Sequence, residues 1–237
     1  LPHRDRWRQV ASAAGFGSVA AVAAAVRFEG CCPYRGGGPG HAAATSGSVE
    51  VLRWLEAHVG PAALEGALSA AASSGRLEAV GCVLGLGTPP SNDEWQQAPL
   101  AALRAGHAEV AEMVLLEEEW RRPPGGPAAA ATGGGGAGPG TAASPQIRRG
   151  HLAAAAYGCS LAVVQRYAAA VEQRMPQPEL LNVVNDALWF TLRSRTTDAL
   201  TKAEWLVARA TVLQAAAAGD GGGAAAAAFF QPRQATR

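Results

Sequence analysis

Small and apolar residues recur in a regular pattern around Gly17, Gly47, Gly75 and Gly106, which are spaced by 30, 28 and 31 residues. After each glycine, apolar or small residues follow at offsets of two, five and eight, which lie along one face of an α-helix. Small residues, mostly alanine, precede each glycine by four and three positions. The pattern predicts units of helix, turn and helix, with the glycine in the left-handed conformation that ends the first helix.

Two weaker copies follow the four clear ones. Cys159 occupies the glycine position of the fifth copy, with Gly158 as an alternative, and Asp198 occupies it in the sixth. A phrase repeated at near-constant spacing is typical of stacked arrays. The sequence therefore predicts an all-α solenoid of stacked helix–turn–helix units. In it, Leu77 is expected to be buried between units, and Trp54 and Trp205, which share one offset, are expected to pack between units.

Two segments resemble the conserved phrase of ankyrin repeats: the run from His41 to Leu52, and the run from Ala105 to Val110. The segment from Phe28 to Tyr34 is similar to a loop of the divergent ankyrin arrays of algae and protists. The family's T-P-L-H opening is absent, with Ala98-Pro99-Leu100 in its place, and the repeats are shorter than the family's roughly 33 residues. The chain thus resembles a degenerate ankyrin-repeat protein. The resemblance implies that His41 bonds loop backbone and holds adjacent units together.

Composition divides the chain into four parts. Ankyrin-like repeats, about four units, are expected in residues 1–122, and two degenerate repeats in residues 148–214. Residues 123–147 and 215–237 are rich in glycine, proline and alanine, and are expected to be a disordered linker and a disordered tail.

Charge and cysteine content restrict the surroundings. With 20 basic and 19 acidic residues the net charge is +1, so neither nucleic acid nor a membrane is expected as a partner. The uncharged stretch from Val10 to Val26 is too short to span a bilayer; with the arginines before it, it also faintly resembles a signal or transit peptide. The four cysteines lack C-x-x-C spacing, which favours a reducing, intracellular location, most simply the cytoplasm, with the nucleus or an organelle as alternatives. Because the chain begins at Leu1, we expect a fragment or a processed product.

No motif for catalysis, metal or cofactor binding is evident. The histidines and cysteines lack the spacing of metal ligands, the glycine-rich stretches lack a phosphate-binding motif, and we expect no cofactor and no enzymatic activity.

The expected function is that of a monomeric protein-interaction module, as the ankyrin resemblance implies. The alternative is a structural segment of a larger protein whose activity lies outside this chain. Trp95, in the predicted loop from Ser91 to Gln96, is either a binding anchor or packed on the edge of the array. The candidate partner-binding residues lie on the first helices and on loops: Tyr34, Arg35, Thr45, Ser46, Ser73, Ser74, Asp93, Glu94, Trp95, Arg104 and Ala105.

Overall fold

A computed structural model describes residues 3–29, 38–121 and 149–217. These residues form α-helices, one short 3₁₀ turn and connecting loops, without a β-strand among them, so the all-α prediction is confirmed. The contacts divide the chain into two compact units, Leu1–Gln146 and Ile147–Arg237. The linker predicted for 123–147 lies outside the described residues, as does the predicted tail from residue 218 onward.

Unit 1 contains four helical hairpins in the part of the chain that the structure describes. Their helices are α1 (His3–Gly15), α2 (Val19–Glu29), α3 (Pro39–Ser46), α4 (Val49–His58), α5 (Ala67–Ser73), α6 (Leu77–Gly85), α7 (Asn92–Ala105) and α8 (Ala108–Arg121), with the 3₁₀ turn Pro61–Leu64 before α5. Unit 2 contains two more hairpins, formed by α9 (Arg149–Gly158), α10 (Leu161–Glu172), α11 (Gln177–Thr191) and α12 (Ala199–Ala217).

The hairpins of each unit pack side by side in chain order. In unit 1 the first helices contact one another in the order α1, α3, α5, α7, and the second helices in the order α2, α4, α6, α8. In unit 2, α9 packs on α11 and α10 on α12 in the same way. Each helix therefore contacts its hairpin partner and the equivalent helix of the next hairpin.

The turn glycines are required for their backbone conformation, and Gly75 is required for space as well. Gly17, Gly47, Gly75 and Gly106 have φ angles of 73°, 82°, 70° and 89°, as the sequence predicted. A Cβ added at Gly75 would lie 2.6 Å from the ring of His107, the residue that follows the turn glycine of the next hairpin. Neighbouring hairpins therefore approach each other so closely at this turn that only glycine fits.

Burial confirms most of the predicted columns. The small residues before each glycine, such as Ala43, Ala44, Ala71 and Ala72, are fully buried, and so are Leu52 and Val80 at offset five. Leu77, which we expected to be buried between units, is instead 44 % exposed. Buried residues of the second helices α4, α6 and α8 lie four, five and eight positions after the turn glycine. A residue two positions after the glycine lies about 115° around the helix from the centre of these buried positions, so its side chain borders on solvent.

The weaker copies follow the same rule. Val164 and Tyr167, at offsets five and eight from Cys159, are buried, whereas Arg166, at offset eight from Gly158, is exposed. Burial therefore favours Cys159 as the anchor of the fifth copy. In the sixth copy Ala203 and Leu206 are buried.

The tryptophans of the shared column are only partly buried. Trp54 stacks on His58 of its own helix, with ring centroids 4.7 Å apart, and Trp205 is half-buried.

Candidate functional site

The ends of the first helices α3 and α5 present hydroxyl groups at the surface. Thr45, Ser46 and Ser73 are exposed and Ser74 is half-buried. Each hydroxyl donates a hydrogen bond to a carbonyl of its own helix: Thr45 to His41, Ser46 to Ala43, Ser73 to Ala70, and Ser74 to Ala70. The four hydroxyl hydrogens are thus already bonded within the protein. A partner could use the hydroxyl oxygens of these residues only as hydrogen-bond acceptors.

Arg104 and Asp93 bring charge to the same row of helices. Both are exposed, Arg104 in the last turn of α7 and Asp93 in its first. They are eleven residues apart, which places them on one face of the helix at about 16 Å. Ala105 is also exposed, next to the turn.

Trp95 does not lie in a loop, because α7 begins three residues before it. Ser91 caps the helix: its hydroxyl accepts from the N–H of Glu94 at 3.2 Å, and the Glu94 carboxylate accepts from the N–H of Ser91 at 3.2 Å. The signal for this start was present in the sequence, since serine followed three residues later by glutamate is the pattern of a capping box. Trp95 is therefore a half-buried residue of the first helical turn.

The ring of Trp95 contacts an arginine of α8, the second helix of the same hairpin. The guanidinium of Arg121 in α8 lies 5.9 Å from the ring centroid. Arg121 also donates to the carbonyl of Leu84 in α6 and pairs with Glu117 at 2.7 Å. Trp95 and Arg104 are nine residues apart, so they lie on opposite faces of α7, about 180° apart.

Two glutamates of unit 1 each connect a helix to a loop of a neighbouring hairpin. Glu94 accepts from the backbone N–H of Gly66 at 2.9 Å, and Glu56 accepts from the N–H of Gly87 at 2.6 Å. His41, to which the resemblance assigned the loop contact, is exposed beside Gly66. Contacts of the loop backbone with neighbouring hairpins are therefore made here by glutamates.

Next to the hydrogen bond between Glu94 and Gly66 lies an open groove of about 290 Å³, between the loops that follow α4 and α6. Pro61, Leu64, Val83, Leu86, Pro89 and Pro90 supply its apolar wall. Glu65 and Glu94 lie at its edge. Because Glu94 already accepts from Gly66 and Ser91, the exposed Glu65 is the charged group at this edge with the freer carboxylate.

Unit 2 carries a cluster that the sequence analysis did not identify. Trp189, in the last turn of α11, is 48 % exposed, and Leu192 just after the helix is 72 % exposed. The guanidinium of Arg193 lies 3.5 Å from the centroid of the Trp189 ring. A tryptophan and an arginine four residues apart, on a helix face otherwise made of polar residues such as Asn182 and Asp186, were the signal that could have revealed it.

Unit 2 also buries a complete lysine side chain. Lys202 donates from Nζ to the carbonyls of Ala156 at 3.1 Å and Cys159 at 2.9 Å, and to the hydroxyl of Thr196 at 2.6 Å. Asp198 pairs with it and also accepts from the N–H of Leu161 at 2.8 Å. Burial opposes ionisation of Asp198, but its hydrogen bonds from Leu161, Thr196 and Lys202 outweigh that effect, so the pKa of this carboxyl is lowered.

The described residues contain no group of three histidine, cysteine or acidic side chains placed to hold a metal ion. Burial raises the pKa of the Cys82 thiol despite the opposing charge of Arg53, so the thiol form is favoured there. Cys159 is buried in the core of unit 2. Tyr34 and Arg35, the remaining predicted site residues, lie outside the described part of the chain.

Comparison with known proteins does not identify a relative: the chain matches no family model, no curated protein and no solved structure. Within the described part of the chain, no helix combines the length and apolar character needed to cross a bilayer.

Proposed function

We propose that this chain is an array of the ankyrin type that binds a partner protein through the exposed faces of its first helices, and that it has no catalytic role. The ankyrin assignment is supported by four left-handed glycines at one position of successive hairpins and by the row of first helices packed beside the row of second helices. Repeats of this kind contact their neighbours and leave one continuous face open for binding.

The exposed cluster of Trp189, Leu192 and Arg193 is the observation that carries the binding proposal. Large apolar side chains are less stable in water than when buried, and a half-exposed tryptophan next to an exposed leucine therefore favours a surface that a partner covers. Tryptophan and arginine also dominate the binding energy of protein interfaces. We therefore infer that this cluster is the centre of the interface.

The chemistry of the cluster defines the partner surface that fits it. The Trp189 ring and the Leu192 side chain need an apolar pocket, and the Arg193 guanidinium, which is held over the ring, needs a carboxylate at the pocket's edge. The first helices of unit 1 also present candidate contact residues in this proposal: Thr45, Ser46, Ser73, Ser74, Asp93 and Arg104. Trp95 serves the packing of α7 on α8 in this proposal.

The test is binding with matched variants. Trp189→Ala and Arg193→Ala should each reduce the amount of a specific protein captured from the native cell extract, and weaken its affinity by about 10- to 100-fold once it is purified. Arg195→Ala, which removes an exposed arginine two residues away, is the control and should leave affinity within about twofold. Equal affinity of all three variants and the wild type for that protein would refute the assignment of this cluster.

A further inference from the structure

The groove between the loops that follow α4 and α6, which we call the loop groove, is a candidate binding site apart from the first-helix faces. One side is the segment 61–65, which contains the 3₁₀ turn, and the other is the loop 86–91 with the end of α6. Its volume of about 290 Å³ falls just below the range of roughly 300–1,000 Å³ that is usual for small-molecule pockets. The space therefore suits one or two side chains of a peptide whose backbone runs along the open side.

The loop 86–91 has no backbone N–H group left for a ligand. Two of its six residues are prolines, which lack an N–H group. The N–H groups of the remaining four donate within the protein over 2.6–3.4 Å, to the carbonyl of Val83 or to the carboxylates of Glu56 and Glu94: Leu86, Gly87, Thr88 and Ser91. The backbone of this loop can therefore offer a ligand only oxygen acceptors, which favours a hydrogen-bond donor over a carboxylate or a phosphate.

The charged groups around the loop groove are acidic. Among the residues that line it, Glu65 and Glu94 are the charged ones. Residues 38–121, the part of unit 1 that contains the groove, carry eleven acidic and four basic side chains. Arg121, the basic residue that bonds the end of α6, is itself paired with Glu117. A cation is therefore attracted to the groove, whereas an anion is repelled.

We propose that the loop groove binds an extended segment of a partner protein in which a large aliphatic side chain stands beside a lysine or an arginine. The aliphatic side chain packs on Leu86 and on the prolines of the wall, and the cation donates to the exposed carboxylate of Glu65. Because proline rings restrict the backbone, the wall loses little conformational freedom on binding. The site goes beyond the function proposed above and does not rest on it, since the Trp189 cluster has an arginine and needs an acidic partner surface.

Nuclear magnetic resonance titration of the full-length, isotope-labelled chain with three synthetic peptides tests the site. The probe is acetyl-Gly-Leu-Arg-Leu-Arg-Gly-amide; one control peptide has glutamate in place of both arginines, and the other has serine in place of both leucines. The probe should shift the amide signals of Gly66, Gly87 and Thr88 saturably, and each control peptide should bind at least about tenfold more weakly. Glu65→Gln should weaken probe binding by about 3- to 10-fold, whereas Glu78→Gln, at an exposed position of α6 outside the groove, should stay within about twofold of the wild type.

Each outcome decides the proposal. A probe that leaves these three amide signals unshifted, or that binds no better than the glutamate peptide, would overturn it. An affinity unchanged by Glu65→Gln would also overturn it; circular dichroism of this variant, which alters an exposed side chain, should show the wild-type helix content. Trp189→Ala, which lies in unit 2, should bind the probe as the wild type does. Loss of probe binding in that variant would place the peptide at the Trp189 cluster and refute the loop groove, so the two binding proposals fail separately.

Discussion

Lys202 and Asp198, one turn apart at the start of α12, form an ion pair with 3.2 Å between Nζ and Oδ1, although the lysine side chain is completely buried. The lysine also donates hydrogen bonds to two backbone carbonyls at the C-terminal end of α9, those of Ala156 and Cys159. The aspartate bonds the first N–H of α10. This pair therefore joins three helices of unit 2 and makes its second hairpin dependent on its first.

Replacing Lys202 by methionine should destabilise unit 2 by about 2–4 kcal/mol, because two buried carbonyls and the Asp198 carboxylate lose their partner at once. Urea unfolding of the full chain, followed by circular dichroism, measures this. Thr201→Ala, at the exposed neighbouring position, is the control and should stay within about 0.5 kcal/mol of the wild type. A Lys202→Met protein as stable as the wild type would show that apolar packing replaces the ion pair without cost.

The lowered pKa of Asp198 predicts a dependence of stability on pH. Since the folded state favours the carboxylate, its contribution is complete above the ordinary aspartate pKa of about 3.9 and is lost as the pH falls through the lower, folded-state pKa. Asp198→Asn should thus reduce the melting temperature at pH 7, and the difference from the wild type should shrink below about pH 4. Thermal unfolding from pH 7 to pH 2.5 gives the comparison. A difference that stays constant over this range would mean that the charge of Asp198 does not contribute.

Gly75 should tolerate no side chain. Gly75→Ala places a methyl group against the His107 ring at a residue with φ of 70°, and we expect a loss of about 2–3 kcal/mol. Gly81→Ala, within α6 and with open space around the added Cβ, should instead stabilise the chain by about 0.5–1 kcal/mol. Adding His107→Ala to Gly75→Ala should recover part of the loss. Similar stabilities of the two glycine variants in urea titrations would contradict the close approach of the hairpins.

Two leucines of the same helix should respond differently to truncation. Leu84→Ala removes a buried side chain of α6 and should cost about 2–4 kcal/mol through the cavity that it leaves. Leu77→Ala, at the half-exposed start of that helix, should cost under about 1 kcal/mol. Chemical denaturation of both variants measures the two losses in the free energy of unfolding. A larger loss for Leu77→Ala than for Leu84→Ala would mean that the residue two positions after the turn glycine is buried between hairpins.

Trp95 should contribute to stability through its contact with Arg121. Trp95→Ala removes a half-buried ring together with this cation–π interaction, and should reduce the stability of unit 1 by about 1–2 kcal/mol. Gln96→Ala, at the exposed next position, should change it by less than about 0.5 kcal/mol. If Trp95→Ala leaves the urea midpoint unchanged, the ring does not hold α7 to α8 and is again a candidate for partner contact.

The residues of the chain by themselves determined the hairpins and their turns. The spacing of Gly17, Gly47, Gly75 and Gly106 and the alanines before them predicted where the first helices end, because a left-handed turn and a small-residue face are local requirements. The same periodicity predicted the buried residues at offsets five and eight. It also placed the fifth and sixth copies, although Cys159 and Asp198 replace the glycine.

Tertiary packing decided which exposed or half-exposed side chains are available for binding. By sequence Trp95 was a candidate binding anchor, but the guanidinium of Arg121 in α8 lies over its ring, a contact that the sequence of α7 alone does not show. Lysine is usually a surface residue, but Lys202 is buried, where its Nζ donates to the carbonyls of Ala156 and Cys159 at the C-terminal end of α9. The spacing of Trp189 and Arg193 is visible in the sequence, but only the packing of α11 on α9 and α12 shows that this pair stays exposed, because the free face of a helix is set by what the neighbouring helices cover.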